Sequence, residues 1–261
     1  MKRPGEPDFW DVGPHDPIPV EKAWREFIRT LGGKLVEDLV PPPRNFHNAD
    51  FLFRGVEVVA ELKEIQSEFS DHASFQNAFD SLMKRVLDED PSWKPSLFGG
   101  TTGLPSWFDR ELVRLFRDPI SRILKRANRQ LRETKSHFGI ASPTGLLLLV
   151  NDGFTSLWPD HIRWLVADLL VQSYSSIDCV VYLTVNTYVE YAKNETPGLM
   201  WAPLYSDRAP ESLVGFVDDL GRRWFDYMEQ AIGPSSVREE IPLETYVVGS
   251  FRPIVVRDRN S

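Results

Sequence analysis

Asp50, Glu61 and Lys63 are the residues of this 261-residue chain whose types and spacing can do chemistry. Two carboxylates brought to one place repel each other unless a cation neutralises them. Hard oxygen ligands of that kind suit Mg2+ or Mn2+. An amine beside them can orient or deprotonate an attacking water, or stabilise charge developing on a phosphate. A divalent cation, a water and a lysine are together the parts that phosphodiester hydrolysis requires.

Whether the three residues meet depends on the strands that carry them. Asp50 to Phe53 and Val56 to Leu62 read as strands, the second rich in β-branched residues. Arg54-Gly55 reads as a two-residue turn, with Gly55 free to take a positive φ. In that hairpin Phe53 faces Val56 and Asp50 faces Val59. Paired residues share a face and side chains alternate, so Asp50 joins Glu57, Val59, Glu61 and Lys63. Glu61 then lies diagonal to Asp50. Any loop with an even number of residues keeps this face, whereas a three-residue loop sends Asp50 to the other side. The Glu-x-Lys triplet alone occurs by chance on many solvated faces, so a surface Glu61–Lys63 pair is the plain alternative. Against it, Val56, Val58, Val59 and Ala60 make the strand apolar on both sides, and such a strand rarely ends in two charges without a partner.

The elements around this hairpin follow from periodicity. Residues 1–16 are rich in Pro, Gly and Asp and read as an irregular arm. Pro17 and Pro19 open a helix with the apolar stripe Val20, Ala23, Trp24, Phe27, Ile28 and Leu31, which Gly32-Gly33 ends. Lys34 to Val40 reads as a short strand stopped by three prolines. Glu64 to about Glu89 is mainly helical, and 91–106 is a loop. Pro119 to Phe138 is a helix, Gly145 to Val150 a buried central strand, Pro159 to Gln172 a helix, and Ile177 to Val185 a second buried strand. Residues 187–209 read as irregular, Pro210 to Ile232 as a last helix, and Thr245 to Val248 as an edge strand. Alternating elements of this kind predict a mixed α/β sheet covered by helices.

Asn48-Ala49-Asp50, the hairpin, and Val58-Val59-Ala60-Glu61-Leu62-Lys63 resemble the core of the PD-(D/E)XK nuclease superfamily. The order helix, three strands, helix, strand resembles that core too. The resemblance implies an α/β, restriction-endonuclease-like fold, with a mixed central sheet flanked by helices. It implies one domain with its core at about 17–186, and residues 187–261 as a C-terminal helical extension packed on it. Asp50 and Glu61 are then the metal ligands for Mg2+ or Mn2+, the backbone carbonyl of Leu62 is a further one, and Lys63 is the catalytic lysine. Many members add a glutamate from the first helix. Glu21 borders the apolar stripe while Glu26 points away, so Glu21 is expected in that role. Ala49 stands where the family carries proline, and the step from Asp50 to Glu61 is at the short end. The implied activity is endonucleolytic hydrolysis of DNA, or of RNA. A catalytically inactive module of the same fold, binding nucleic acid or protein, is the alternative.

Charge bears on the partner. The net charge is -8, yet Asp109 to Phe138 holds nine Lys/Arg against four Asp/Glu, so the remainder carries -13. Arg122, Lys125, Arg126 and Arg129 on the predicted helix can contact a phosphate backbone, although helices commonly carry such a solvated face. Asn128 and Gln130 on the same helix read as ordinary solvated side chains before support for a site, and Asn151-Asp152-Gly153 as a turn. No His spacing suits a metal, and His47 reads as a loop residue beside the Asp50 strand. Cys179 excludes an intrachain disulfide and reads as a buried core residue. P-loop, dinucleotide-binding and nucleophile-elbow patterns are absent. No apolar run approaches the length of a membrane span and no apolar signal core opens the chain, so a cytoplasmic protein without a membrane partner is expected. Trp201 and Trp224 leave a structural oligomer open, with a homodimer as its simplest form.

Overall fold

Val20, Ala23, Trp24, Phe27 and Ile28 recur at helical spacing, and they form the buried side of helix α1 (Val20–Thr30). Pro19, with extended backbone, precedes it, and Gly32 at φ +75° follows it in the left-handed region that ends helices. The computed structural model describes residues 14–65, 72–94, 103–140, 143–191, 197–233 and 251–255. The expected edge strand at Thr245 to Val248 lies outside them, as does most of the arm.

The chain then runs β1 (Lys34–Leu35), α2 (Val36–Leu39), β2 (Phe51–Phe53), a 3-10 turn (Arg54–Val56) and β3 (Val58–Ile65). Next come α3 (Ala73–Glu89), α4 (Phe108–Leu115), α5 (Arg117–Phe138), β4 (Thr144–Asn151), α6 (Pro159–Ser173) and β5 (Cys179–Thr184). It ends with β6 (Thr187–Tyr191), β7 (Trp201–Tyr205), α7 (Glu211–Ile232) and β8 (Phe251–Val255).

Six strands form one mixed sheet in the order β1-β2-β3-β4-β5-β7. The β3–β4 and β4–β5 pairs are parallel and the other three are antiparallel. The continuous apolar run Leu146–Val150 suits its central position, and all five residues have no exposed surface. One face of the sheet (Leu52, Val59, Ile65, Leu147, Leu149, Val180, Tyr182) packs under α5 and α6. The other (Phe51, Phe53, Val58, Ala60, Leu62, Leu148, Val181) packs under α1 and α7. The molecule is therefore a mixed α/β sheet between helical layers. β6 and β8 form a separate two-stranded sheet.

Three expectations about elements are corrected. Only Lys34 and Leu35 of the predicted Lys34–Val40 strand are extended, and Val36–Leu39 closes a helical turn whose Val36 N–H donates to the Asp50 carbonyl at 2.9 Å. Glu64 and Ile65 continue β3 rather than opening a helix, because β4 runs alongside and pairs with them. Residues 187–209 hold two strands, and β7 completes one edge of the main sheet against β5. Their sequence lacks strict alternation, since Trp201, Pro203, Leu204 and Tyr205 are only half-buried on an edge.

Candidate functional site

The hairpin that carries the acids is built differently from the two-residue turn, with the same result. Its loop is Arg54 to Glu57, four residues, and Glu57 rather than Gly55 takes the positive φ, at 53°. Four is even, so the parity argument survives. The register Phe53↔Val58, Leu52↔Val59, Phe51↔Ala60 is shifted by two residues from the expected pairing. Its continuation sets Asp50 directly across from Glu61 instead of diagonal to it. Alternation from Leu52 and Val59 then puts Asp50, Glu61 and Lys63 on the face beneath α5.

The geometry at this point is tight. Glu61 is fully buried. Its Oε1 accepts a hydrogen bond from Lys63 Nζ, and its buried Oε2 meets no donor other than a proton shared with the neighbouring Asp50 carboxyl. Asp50 Oδ2 accepts from the Leu62 backbone N–H at 2.8 Å. Burial, then the neighbouring Asp50 charge, pushes the Glu61 carboxyl up to about 8, against the pull of Lys63. Burial also raises Asp50, although the Leu62 N–H and Lys63 oppose it and the Glu21 charge adds to it. Two adjacent buried acids with raised affinity for protons form a point that a proton or a cation neutralises.

The loop before Asp50 is fixed by helix α5. Thr134 Oγ1 accepts from the Ala49 N–H at 2.7 Å, and Gln130 Nε2 donates to the Asn48 carbonyl at 3.0 Å. Glu133 Oε2 accepts from the His47 backbone N–H at 2.7 Å and lies 3.2 Å from its Nδ1. Gln130 thus supports the site through the backbone, and His47 is a loop residue held by Glu133. Asn128 Oδ1 accepts from Ser176 N–H and has a packing role elsewhere.

A cavity of about 220 Å3 opens at Asp50, lined by Glu21, Arg25, Asp50, Phe51, Leu62, Lys63 and Glu64. Glu21 therefore shares the cavity with Asp50, but from the layer on the other sheet face, and its carboxylate accepts from Arg25 at 3.5 Å. Arg25 also pairs with Glu37. Among the described residues, no three His, Cys, Asp or Glu side chains close into one metal-holding group. The donor set still fits a hard cation. Asp50 lines the cavity with Glu61 buried directly behind it, so a cation that displaced their proton would meet two carboxylates, and the cavity admits further oxygen ligands. Arg25 and Glu64 were not anticipated. The first stands one helical turn from Glu21, a spacing that signals contact. The second alternates away from Lys63 onto the Leu62 face of β3, which packs under α1, and so meets the cavity from the side of Glu21 and Arg25.

The remaining candidates are placed elsewhere. Arg122, Lys125, Arg126 and Arg129 are exposed on α5, and none lines the Asp50 cavity. Arg129 pairs with Glu133 at 2.8 Å. Lys135 on the same helix is not part of an open stripe, since its Nζ donates to the Ser176 carbonyl at 3.0 Å and to Asp178 at 3.2 Å. Asn151 closes its own turn by accepting from the Phe154 N–H and donating to the Phe154 carbonyl and the Tyr182 hydroxyl. Cys179 is buried, with its thiol pushed far up by burial. Trp224 is buried and stacks on Trp24 at 4.1 Å, with Trp201 on the other side of Trp24 at 6.3 Å. Trp24 and Trp224 are buried in the core under α1 and α7, and Trp201 packs against that core half-buried. Among the described residues, no helix is long and apolar enough to cross a membrane.

Compared with known proteins, the chain matches no family model, and no curated protein or solved structure matches it significantly.

Proposed function

We propose that this chain is a metal-dependent nuclease of the PD-(D/E)XK kind, with a restriction-endonuclease-like fold, that hydrolyses phosphodiester bonds of DNA or RNA. The observation that carries the reading is the pairing of Asp50 with a fully buried Glu61, with Lys63 bonded to the Glu61 carboxyl. The sheet order supports it, since an antiparallel hairpin sets β2 against β3 beside Asp50 and Glu61, and a parallel crossover brings β4 along the other side of β3.

Asp50 and Glu61 would hold Mg2+ or Mn2+, with the Leu62 carbonyl and Glu21 as further oxygens. The cation would supply Lewis acidity toward a phosphoryl oxygen. Once the cation displaced its proton, Glu61 would present a carboxylate in a dry setting, where charge interactions are stronger than in water. Lys63 keeps its amine at the carboxylate and within the cavity, so it can donate to a phosphate oxygen or hold a water. The exposed cations of α5, Arg122, Lys125, Arg126 and Arg129, would contact phosphates distant from the cut.

The test is cleavage of plasmid and single-stranded DNA and of RNA with Mg2+ or Mn2+. Lys63→Met is expected to lower the rate by about a hundredfold or more. Equal rates for the wild type and Lys63→Met remove Lys63 from the chemistry. The absence of a three-acid cluster favours a second reading, an inactive module of this fold that binds nucleic acid or protein. Calorimetry that finds no heat of Mg2+ or Mn2+ binding, together with tight binding of an oligonucleotide, supports the second reading over the first.

A further inference from the structure

A second cavity adjoins the first. It measures about 630 Å3 and is lined by Pro19, Val20, Glu21, Lys22, Arg25, Glu26, Arg29 and Glu64. Glu21, Arg25 and Glu64 line both, so the small cavity at Asp50 opens into a groove along the outer side of α1. Lys22, Arg25 and Arg29 stand along that groove at helical steps of three and four. By helix rise they span about 10 Å.

We propose that this groove is the track of the substrate strand, and that Lys22, Arg25 and Arg29 contact its phosphates on one side of the scissile bond. The proposal rests on the nuclease reading and deepens it by assigning the strand-binding surface to α1 ahead of α5. The α5 cations are exposed but line neither cavity, whereas the α1 cations line a groove continuous with Asp50 and Lys63. The α1 cations now pair with acids: Lys22 with Glu26 at 3.9 Å, Arg29 with Asp38 at 3.3 Å, and Arg25 with Glu21 and Glu37. Lys22, Arg29 and their partners are half-exposed or more, and such pairs are weak enough for a phosphate to replace the carboxylate. Phosphate contacts of this type position a strand without reading its sequence.

The experiment measures binding of fluorescent single-stranded and duplex oligonucleotides, without divalent metal, at several salt concentrations. Three double variants are compared with the wild type: Lys22→Gln/Arg29→Gln on α1, Arg122→Gln/Arg126→Gln on α5, and Arg222→Gln/Arg223→Gln on α7 as a control. All six side chains are exposed, so the folds should hold, and circular dichroism checks this. The α1 variant is expected to bind about tenfold more weakly, with the salt slope reduced by about one to two, while the control is unchanged. The strand type that shows the larger loss is the one the groove takes. A larger loss in the α5 variant, equal losses in all three, or no binding by the wild type overturns the proposal. Metal-dependent plasmid cleavage by the wild type, abolished by Lys63→Met, shows separately whether the nuclease reading stands.

Discussion

At the scale of single residues, Glu61 concentrates the consequences of burial. Its carboxyl is raised from the usual 4.5 to about 8. The folded state therefore holds a proton that the unfolded state releases between those values. The stabilisation this gives is complete below pH 4.5 and is lost as pH rises through about 8. Glu61→Gln removes the Glu61 share of this dependence and leaves that of Asp50, which burial also raises. In EDTA, thermal melts should show the variant gaining on the wild type as pH climbs through that window. A difference between the two that stays constant with pH contradicts the burial argument. Adding Mn2+ should raise the midpoint of the wild type and leave Glu61→Gln almost unmoved, because only a state that binds the cation is stabilised by it. The acids and the lysine were legible in the sequence because a period of two is strict. Loop parity fixed the face without fixing the register. Glu57 in the left-handed region, which lengthened the loop by two, was not legible, since a glutamate gives no sign of that backbone.

At the scale of elements, β4 and α5 carry the scaffold. A Cβ on Gly145 would lie 1.9 Å from the Ser176 carbonyl oxygen and 2.9 Å from Lys135 Nζ. Backbone cannot yield that distance, so Gly145→Ala should cost about 3 kcal/mol or more in denaturant unfolding. Asp178 accepts from both the Gly145 N–H at 2.7 Å and Lys135, joining β4, α5 and the turn before β5. The helices and central strands were readable because their apolar faces repeat cleanly. Strands β6 and β7 were not, because edge strands bury only part of each residue and leave no clear alternation. The α5 cations were equally visible in sequence. Which helix borders the cavity was not, since that depends on how two layers meet at the end of a sheet.

At the scale of the molecule, the C-terminal part is a structural member of the main sheet. β7 pairs with β5, and Trp224 of α7 stacks on Trp24 of α1. Trp224→Ala should destabilise the whole chain by about 3–5 kcal/mol, read from denaturant midpoints. Truncation after residue 186 should yield insoluble protein, because it uncovers both the β5 edge and the α1 stripe. A soluble, monomeric truncation product on size exclusion counts against this account.

One last consequence follows from the lengths of the strands beside the acids. β3 and β4 run together for eight residues each, whereas β2 has three residues and its outer neighbour β1 has two. Amide protons of β4 should exchange only on global unfolding, and those of β1 and β2 through smaller, more frequent openings. Asp50 would then belong to the fast-exchanging unit and Glu61 to the slow one. The two acids can therefore part and rejoin while the rest of the sheet stays closed, and a bound cation, by tying one unit to the other, should slow exchange across β2 before it changes anything in β4.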